Sequence, residues 1–311
     1  MTRTLQQLFD LQGKTALVTG GSRGLGLQLA HALGEAGARV LLSSRKASDL
    51  EGAAAELKAA GIHAEWIAAD CGREDDIHRL GAETLQRLGQ VDILVNNAGA
   101  AWGAPAEDHP VDAWDKVMDL NVRGYFILSQ YLAKHSMIPR RQGSIINIAS
   151  IAGLAGNPRG MNTIAYNTSK GAVVNFTRAL AAEWGPHNIR VNAICPGFFP
   201  SKMTAGTLKN LGEERLAAGA PLGRLGDDED LKGLCALYAS DAGKHITGQW
   251  LAVDPFHPQD RAHQQLCGGP RRRRHDLARR VHGHRLAQRG QNPGHRDHRD
   301  ENQFHASCRR P

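Results

Sequence analysis

Tyr166 and Lys170 stand four positions apart in the run Ala-Tyr-Asn-Thr-Ser-Lys. On a helix, residues i and i+4 share a face, so a phenol and an ammonium would project side by side. A neighbouring cation favours the phenolate and lowers a tyrosine's pKa. It would make Tyr166 a proton donor and acceptor usable near neutral pH. The spacing alone recurs by chance on many helices. It gains weight from Gly20, Gly24 and Gly26, set in Gly-Gly-Ser-Arg-Gly-Leu-Gly far upstream. Ser150 adds a hydroxyl after the aliphatic run 144–149, and Asn121 an amide within Leu-Asn-Val. Each has a plainer reading: a structural glycine turn, a serine capping a strand end, an asparagine bonded to its own helical turn.

The elements that would position these groups follow from patterning. Residues 14–20, β-branched and apolar up to a glycine, read as a buried strand. Leu25, Leu29 and Leu33 continue as a helix. Strand, glycine turn and helix are the context in which such a motif cradles a pyrophosphate. Glycine lets the backbone approach closely, and the first helical turn offers N–H groups and a positive dipole end. The spacing is G-x-x-x-G-x-G, not the commoner G-x-G-x-x-G. A second strand over 38–44 ends in Arg45-Lys46 with no carboxylate. A dinucleotide fold selecting NAD places an acid near here for the ribose hydroxyl, and one selecting NADP places an arginine. With Arg23 in the glycine loop able to reach the same place, the sequence predicts NADP(H). Mere solvated residues at a strand end are the alternative. Further strands are predicted over 91–95 and 144–149, and long helices over 111–135 and 165–184.

With Thr19-Gly-x-x-x-Gly-x-Gly26, Asn96-Asn97-Ala98-Gly99, Ser150, Tyr166-x-x-x-Lys170 and Pro196-Gly197 in that order, residues 8–254 resemble the short-chain dehydrogenases/reductases. The likeness is to the ketoreductase branch that includes 3-oxoacyl thioester reductases and gluconate 5-dehydrogenase-like proteins. The wider Tyr–Lys spacing of enoyl reductases is absent, and so is the glycine pattern of the extended sugar-nucleotide branch. The resemblance implies an α/β fold: a Rossmann-type, doubly wound parallel sheet of seven strands in the order 3-2-1-4-5-6-7. It implies a catalytic set of Asn121, Ser150, Tyr166 and Lys170. Tyr166 would be the general acid or base, and Lys170 would tune it and hold the nicotinamide ribose. Ser150 would bond the substrate oxygen, and Asn121 would anchor a water. The implied cofactor cleft comprises Gly20, Ser22, Arg23, Gly24, Leu25, Gly26, Arg45, Asp70, Cys71, Asn97, Ala98, Gly99, Tyr166, Lys170, Pro196, Gly197, Phe199 and Ser201. Asp70 would meet the adenine edge. Ser201 stands where threonine is usual, keeping the hydroxyl. A homotetramer is the implied assembly, with pairing through the two long helices.

Two features bear on the substrate, expected to be a small ketone or the corresponding alcohol. Ser150 and Tyr166 are 16 positions apart, wider than the resemblance implies, so residues 153–163 hold a small insertion beside the site. Residues 198–222 are the expected lid, with Phe199, Met203, Leu208, Leu211 and Leu216 beside Lys202, Lys209 and Arg215. Apolar side chains suit an acyl or aliphatic ketone, and an amphipathic cover over the core explains the pattern equally well. Carrier-protein reductases of this branch tend to place arginine where Ser144 and His187 stand. Their absence leaves CoA thioesters, other ketones or a keto-sugar acid open.

The charge divides the chain in two. Residues 255–311 hold 13 Arg, no Lys, 5 acids and 8 of the 15 His, a balance of +8. The remainder carries 38 − 13 = 25 bases and 31 − 5 = 26 acids, or −1. The expected division is therefore a catalytic domain over 1–254 and an Arg/His-rich tail over 255–311. The tail has no apolar period from which to build a core, so it is expected to be unstructured. Such text, rich in Arg, His, Gly and Gln, is what a GC-rich gene yields when read out of frame, and a frameshift product is one expectation. A polybasic arm centred on Arg271 to Arg274, binding nucleic acid or an anionic surface, is the rival. Intact mass of the native protein separates a sequencing error from a genuine tail. The five cysteines show neither Cys-x-x-Cys nor a paired framework. No apolar stretch approaches a membrane span, and no charged-then-apolar leader opens the chain. A reducing cytoplasm is the expected location. No His/Cys/acid cluster in residues 1–254 suggests a metal.

Overall fold

The structure, a computed structural model, describes residues 2–157 and 160–254. The expectations for the basic tail, and Pro158 and Arg159 of the insertion, lie outside the described residues. Seven strands, β1 (Thr15–Thr19), β2 (Arg39–Ser44), β3 (Ala64–Ala68), β4 (Ile93–Asn96), β5 (Gly143–Ile148), β6 (Ile189–Pro196) and β7 (Trp250–Val253), form one sheet. The order is 3-2-1-4-5-6-7. Every pairing is parallel. The predicted strands match these within one or two residues at their ends.

The strands are aliphatic on both sides because the sheet is covered on both faces. On one face Ala16, Val18, Val40, Leu42, Ile93, Val95, Ile146 and Ile148 form a buried cluster. It is closed by α2 (Gly24–Glu35), α3 (Ala47–Ala59) and α11 (Lys232–Ala239). On the other face Leu17, Leu41, Leu94, Ile145 and Val191 meet α4 (Glu74–Leu88), α6 (Gly124–Leu132) and α8 (Ile164–Trp184). A short α1 (Leu5–Phe9) precedes β1, and α9 (Ala205–Leu211) and α10 (Glu213–Gly219) follow β6. α4 opens on Glu74, Asp75 and Asp76 and closes with Arg87, charges that suit its macrodipole.

The helix predicted over 111–135 is one rod through residue 140, with two wider stretches. It runs as α5 (Val111–Met118), a π turn (Asp119–Arg123), α6, a second π turn (Ala133–Met137) and α7 (Ile138–Arg140). π turns interrupt α-helices most often at functional positions, and the first contains Asn121.

All seven strands point the same way, so their C-terminal ends share one edge of the sheet. The chain leaves β1 toward β2 on one side and resumes with β4 on the other. That reversal is the switch point where open α/β sheets bind their ligands. Thr19, Asn96, Ser150 and Pro196 all lie at this edge. Among the described residues no helix is long and apolar enough to cross a membrane.

Candidate active site

The glycine turn is stitched to the end of β4. The Thr19 hydroxyl donates to the Val95 carbonyl at 3.2 Å and accepts from the Asn97 and Ala98 N–H groups at 3.0 and 3.1 Å. The Asn97 amide returns to the carbonyls of Thr19 and Gly20 at 2.9 and 3.2 Å. Asn97, expected to line the cofactor cleft, thus spends its side chain holding the turn. Gly20 has φ +64°, and a Cβ there would stand 2.8 Å from Asn97 Nδ2. A Cβ on Gly26 would lie 2.5 Å from the same nitrogen and run into the Gly20 carbonyl. By contrast, Gly24 has only Ser201 Cβ nearby, at 3.9 Å. No side chain caps α2, so its first-turn N–H groups and positive dipole end are directed at this open side.

The Gly21 N–H donates to the Ser43 carbonyl at 3.1 Å, which lays the Arg23 loop along the end of β2. Arg23 pairs with Asp49 at 3.2 Å, while Arg45 is exposed. The Asp70 carboxylate accepts the Gly72 N–H at 3.0 Å. Two expected cleft residues turn away. Cys71 is buried in the core against Ile77 and Leu80, its thiol pushed up to about 12 by burial and then by Asp70 and Asp76. Phe199 is buried with its ring against Gly226. Both are apolar groups beside an apolar interior, so only their main chains remain for a ligand. Ser201 and Thr204 bond each other through hydroxyls at 3.0 Å and cap the turn that leads into α9.

At the other side of the cleft, Ser150 follows β5 in extended backbone, and its hydroxyl accepts the Ala152 N–H at 3.1 Å. The capping reading is thus correct for that lone pair. The same hydroxyl also pulls on the Tyr166 phenol. Tyr166 sits in the first turn of α8 with Lys170 one turn on, as the spacing predicts. The Lys170 ammonium is buried and donates to the Ile148 carbonyl at 2.7 Å. It stands 5.6 Å from the ring centres of both Tyr166 and Tyr125. Burial lowers Lys170 to about 8. It raises Tyr166 above its ordinary value, with the Ser150 hydrogen bond pulling the other way. From the spacing alone, the cation is expected to lower the phenol. Here desolvation sets the direction, and the lowering that opposes it comes from Ser150 and not from the ammonium, which points at a carbonyl and at ring faces.

Asn121 does not bond its own turn. Its amide oxygen accepts the Ala100 N–H at 2.8 Å, and its nitrogen donates to the Ala100 carbonyl and Ser169 hydroxyl at 2.9 Å each. It therefore ties the rod, the loop after β4 and α8 together one residue from Lys170. A Cβ on Gly99 would lie 3.2 Å from Asn121 Oδ1 and 3.7 Å from Lys170 Nζ, so this corner is tight. Pro196 ends β6, and the Gly197 N–H donates to the Val253 carbonyl at 3.0 Å.

Several side chains take parts that the sequence does not assign, among them Asn96, expected to line the cofactor cleft. Asn96 donates to Ser129 and Asn147, and Asn147 to Thr177, at 2.9–3.0 Å, a buried ladder behind the strand ends. An amide alone in the aliphatic strand Ser144-Ile-Ile-Asn147-Ile is the signal that marks it. Cys195, one residue before Pro196, is buried behind Ser150, its thiol pushed up to about 12 despite the Ser150 N–H and Lys170. The insertion is pinned by Asn157, which bonds Asn167 in both directions at 2.8 and 3.0 Å and reaches Thr163 at 2.7 Å. The Ala104 N–H donates to the Asn162 carbonyl at 2.9 Å, joining the insertion to the loop after β4. The expected lid consists of α9 and α10, with Leu208 buried and Met203 exposed.

A doubly wound parallel sheet with a glycine turn at its switch point and a Ser-Tyr-Lys set across the cleft defines a nucleotide-dependent oxidoreductase. The short chain dehydrogenase family model matches residues 14–212, and the chain belongs to that family. It is 38% identical over 250 residues to gluconate 5-dehydrogenase of Gluconobacter oxydans, covering 79% of this chain and 95% of the relative. It is 40% identical over 250 residues to the rhamnolipids biosynthesis 3-oxoacyl-(acyl-carrier-protein) reductase of Pseudomonas aeruginosa, covering 79% and 96%. Among solved structures, gluconate 5-dehydrogenase of Burkholderia cenocepacia in complex with NADP and tartrate superposes with a TM-score of 0.76 at 33% identity, covering 81% and 98%.

Proposed function

We propose that residues 1–254 form an NADP(H)-dependent reductase that converts a ketone to a secondary alcohol, or the reverse. The observation that carries this reading is the Lys170 ammonium, anchored on the Ile148 carbonyl beside the Tyr166 ring, with the Ser150 hydroxyl acting on the phenol. The glycine turn fits the dinucleotide. Gly20 and Gly26 close on backbone and Asn97, while the Gly24 side and the uncapped α2 terminus are open to an anion. Gly20, Ser22, Gly24, Leu25 and Gly26 would cradle the pyrophosphate, and Arg23 and Arg45 would meet the 2′-phosphate once Arg23 exchanges Asp49 for it. Asp70 would meet the adenine, and Ala98, Gly99, Pro196 and Gly197 the nicotinamide side. The bound cofactor supplies the hydride.

The protein's own work is placement and proton transfer. As negative charge grows on the substrate oxygen, the Ser150 and Tyr166 hydroxyls donate to it, and Tyr166 gives up its proton. Lys170, 5.6 Å from the Tyr166 ring centre, would stabilise the phenolate that remains. Asn121 holds α8 against the loop after β4 through Ser169 and Ala100.

The substrate we favour is a ketone carrying an acyl thioester or a similar chain. A keto-sugar acid, as for gluconate 5-dehydrogenase, is the second reading. It is favoured by the likeness to two proteins of that name and by the buried position of Ser144, whose hydroxyl bonds the Tyr238 carbonyl at 2.8 Å. Ser144 offers no surface charge for a carrier protein. Assays with acetoacetyl-CoA, 5-ketogluconate and simple ketones against NADPH and NADH distinguish the readings. Oxidation of neither cofactor would refute the reductase, and tighter binding of NADH would refute the NADP(H) assignment. We further propose a homotetramer paired through the rod and α8, where Phe126, 44% exposed, packs edge-on against Phe176. A monomeric sedimentation coefficient would refute it.

A further inference from the structure

The Lys170 ammonium is buried, and a buried charge needs compensation. One carbonyl and two aromatic rings provide it. Tyr166 belongs to the proposed reaction. Tyr125 does not. It rises from α6, 2% exposed, packed among Ala149, Val173, Val174, Ala193 and Cys195. Its ring centre lies 5.6 Å from Lys170 Nζ, and its hydroxyl donates at 3.4 Å to the same Ile148 carbonyl that holds the ammonium. We propose that Tyr125 is a positioning residue for Lys170, its ring face stabilising the ammonium and its hydroxyl sharing the carbonyl that anchors it.

A cation over an electron-rich ring is attracted by the ring quadrupole, most strongly where water is excluded. The ring must be a neutral phenol, and burial keeps it so by pushing Tyr125 well above its ordinary value, with Tyr166 and Cys71 adding to the effect. The titratable groups facing Lys170 are Tyr166 on its own helix, Cys195 on β6 and Tyr125 on α6. Among the described residues no carboxylate faces it, so the carbonyl and the two rings are its compensation. The proposal rests on the reading that a charged Lys170 serves Tyr166, and its test is independent of turnover.

The experiment follows Lys170 by NMR in protein labelled with 13Cε-lysine, the resonance being assigned by its loss in Lys170→Met. The wild-type midpoint is expected near 8. Tyr125→Leu should move it down by about one pH unit, and Tyr125→Phe, which keeps the ring, should leave it in place. An unmoved midpoint in Tyr125→Leu, or an equal drop in Tyr125→Phe, would overturn the proposal. If Tyr125→Leu does not fold, Phe at 125 is compared with pentafluorophenylalanine, which keeps the shape and inverts the quadrupole. The fluorinated ring should lower the midpoint, and identical midpoints would overturn the proposal. Loss of turnover in Tyr166 and Lys170 variants tests the reaction and does not bear on this result.

Discussion

Gly26→Ala tests whether the turn between β1 and α2 seats the cofactor. The added methyl would stand 2.5 Å from Asn97 Nδ2 and 2.8 Å from the Gly20 carbonyl carbon. The methyl would also run into the Gly20 carbonyl oxygen, and ordinary contact begins near 3.4 Å, so the turn must open by more than 3.4 − 2.5, about 0.9 Å. Neither neighbour yields easily: one is backbone, and the other is an amide bonded to two carbonyls. Overpacking of this kind costs about 1–3 kcal/mol. A displacement of about 1 Å in a positioning element costs on the order of a hundredfold. NADPH affinity, measured calorimetrically, should therefore fall on the order of a hundredfold, about 2.7 kcal/mol. Gly34→Ala is the control. Its methyl runs into Ile62, with Cδ1 and Cγ1 at 2.9 Å, on the far side of α2. It should lower the melting temperature and leave the NADPH Kd within twofold. If Gly26→Ala binds NADPH like wild type, or if Gly34→Ala loses as much affinity, the pyrophosphate does not sit on this turn.

Four further outcomes follow from the structure. Reduction should be level below and fall above an apparent pKa near 8, because Lys170 loses its proton there while Tyr166, raised by burial, still holds its own; a kcat/KM profile flat to pH 10 would contradict this. The same shift carries a stability sign. A lysine depressed from 10.5 to about 8 on folding opposes the fold below pH 8, and that penalty is relieved as pH rises toward 10.5. Asn157→Ala frees the insertion from Asn167 and should raise the substrate KM severalfold without changing NADPH affinity; an unchanged KM would remove the insertion from the substrate pocket. Asp92 is buried at the opposite edge of the sheet, where it accepts the Thr15 N–H at 3.0 Å and Arg140 at 2.8 Å. Asp92→Ala should cost about 3 kcal/mol in urea unfolding, and a loss below about 1 kcal/mol would show that the pair is solvated.

The sequence is informative where function is contiguous. The glycine turn and the Tyr166–Lys170 face are readable because each rests on spacing within a few residues, whereas the strand order follows only from the family resemblance. Distant partners are not so readable. Nothing local to Asn97 says that its amide closes on Gly20, 77 positions away. Nothing local to Cys71 or Phe199 says that the side chain turns inward. Tyr125 lies one turn from Asn121, but its place under Lys170 depends on how α6 crosses α8. The direction of the Tyr166 shift is the most instructive difference. Spacing places a cation beside a phenol, while burial, a property of the whole fold, decides the sign.

The central claim is that the Tyr166 phenol transfers the proton. Tyr166→Phe, which removes one oxygen from a half-buried ring, should keep its melting temperature and NADPH Kd while kcat for ketone reduction falls on the order of a thousandfold or more. A kcat within tenfold of wild type would contradict the account.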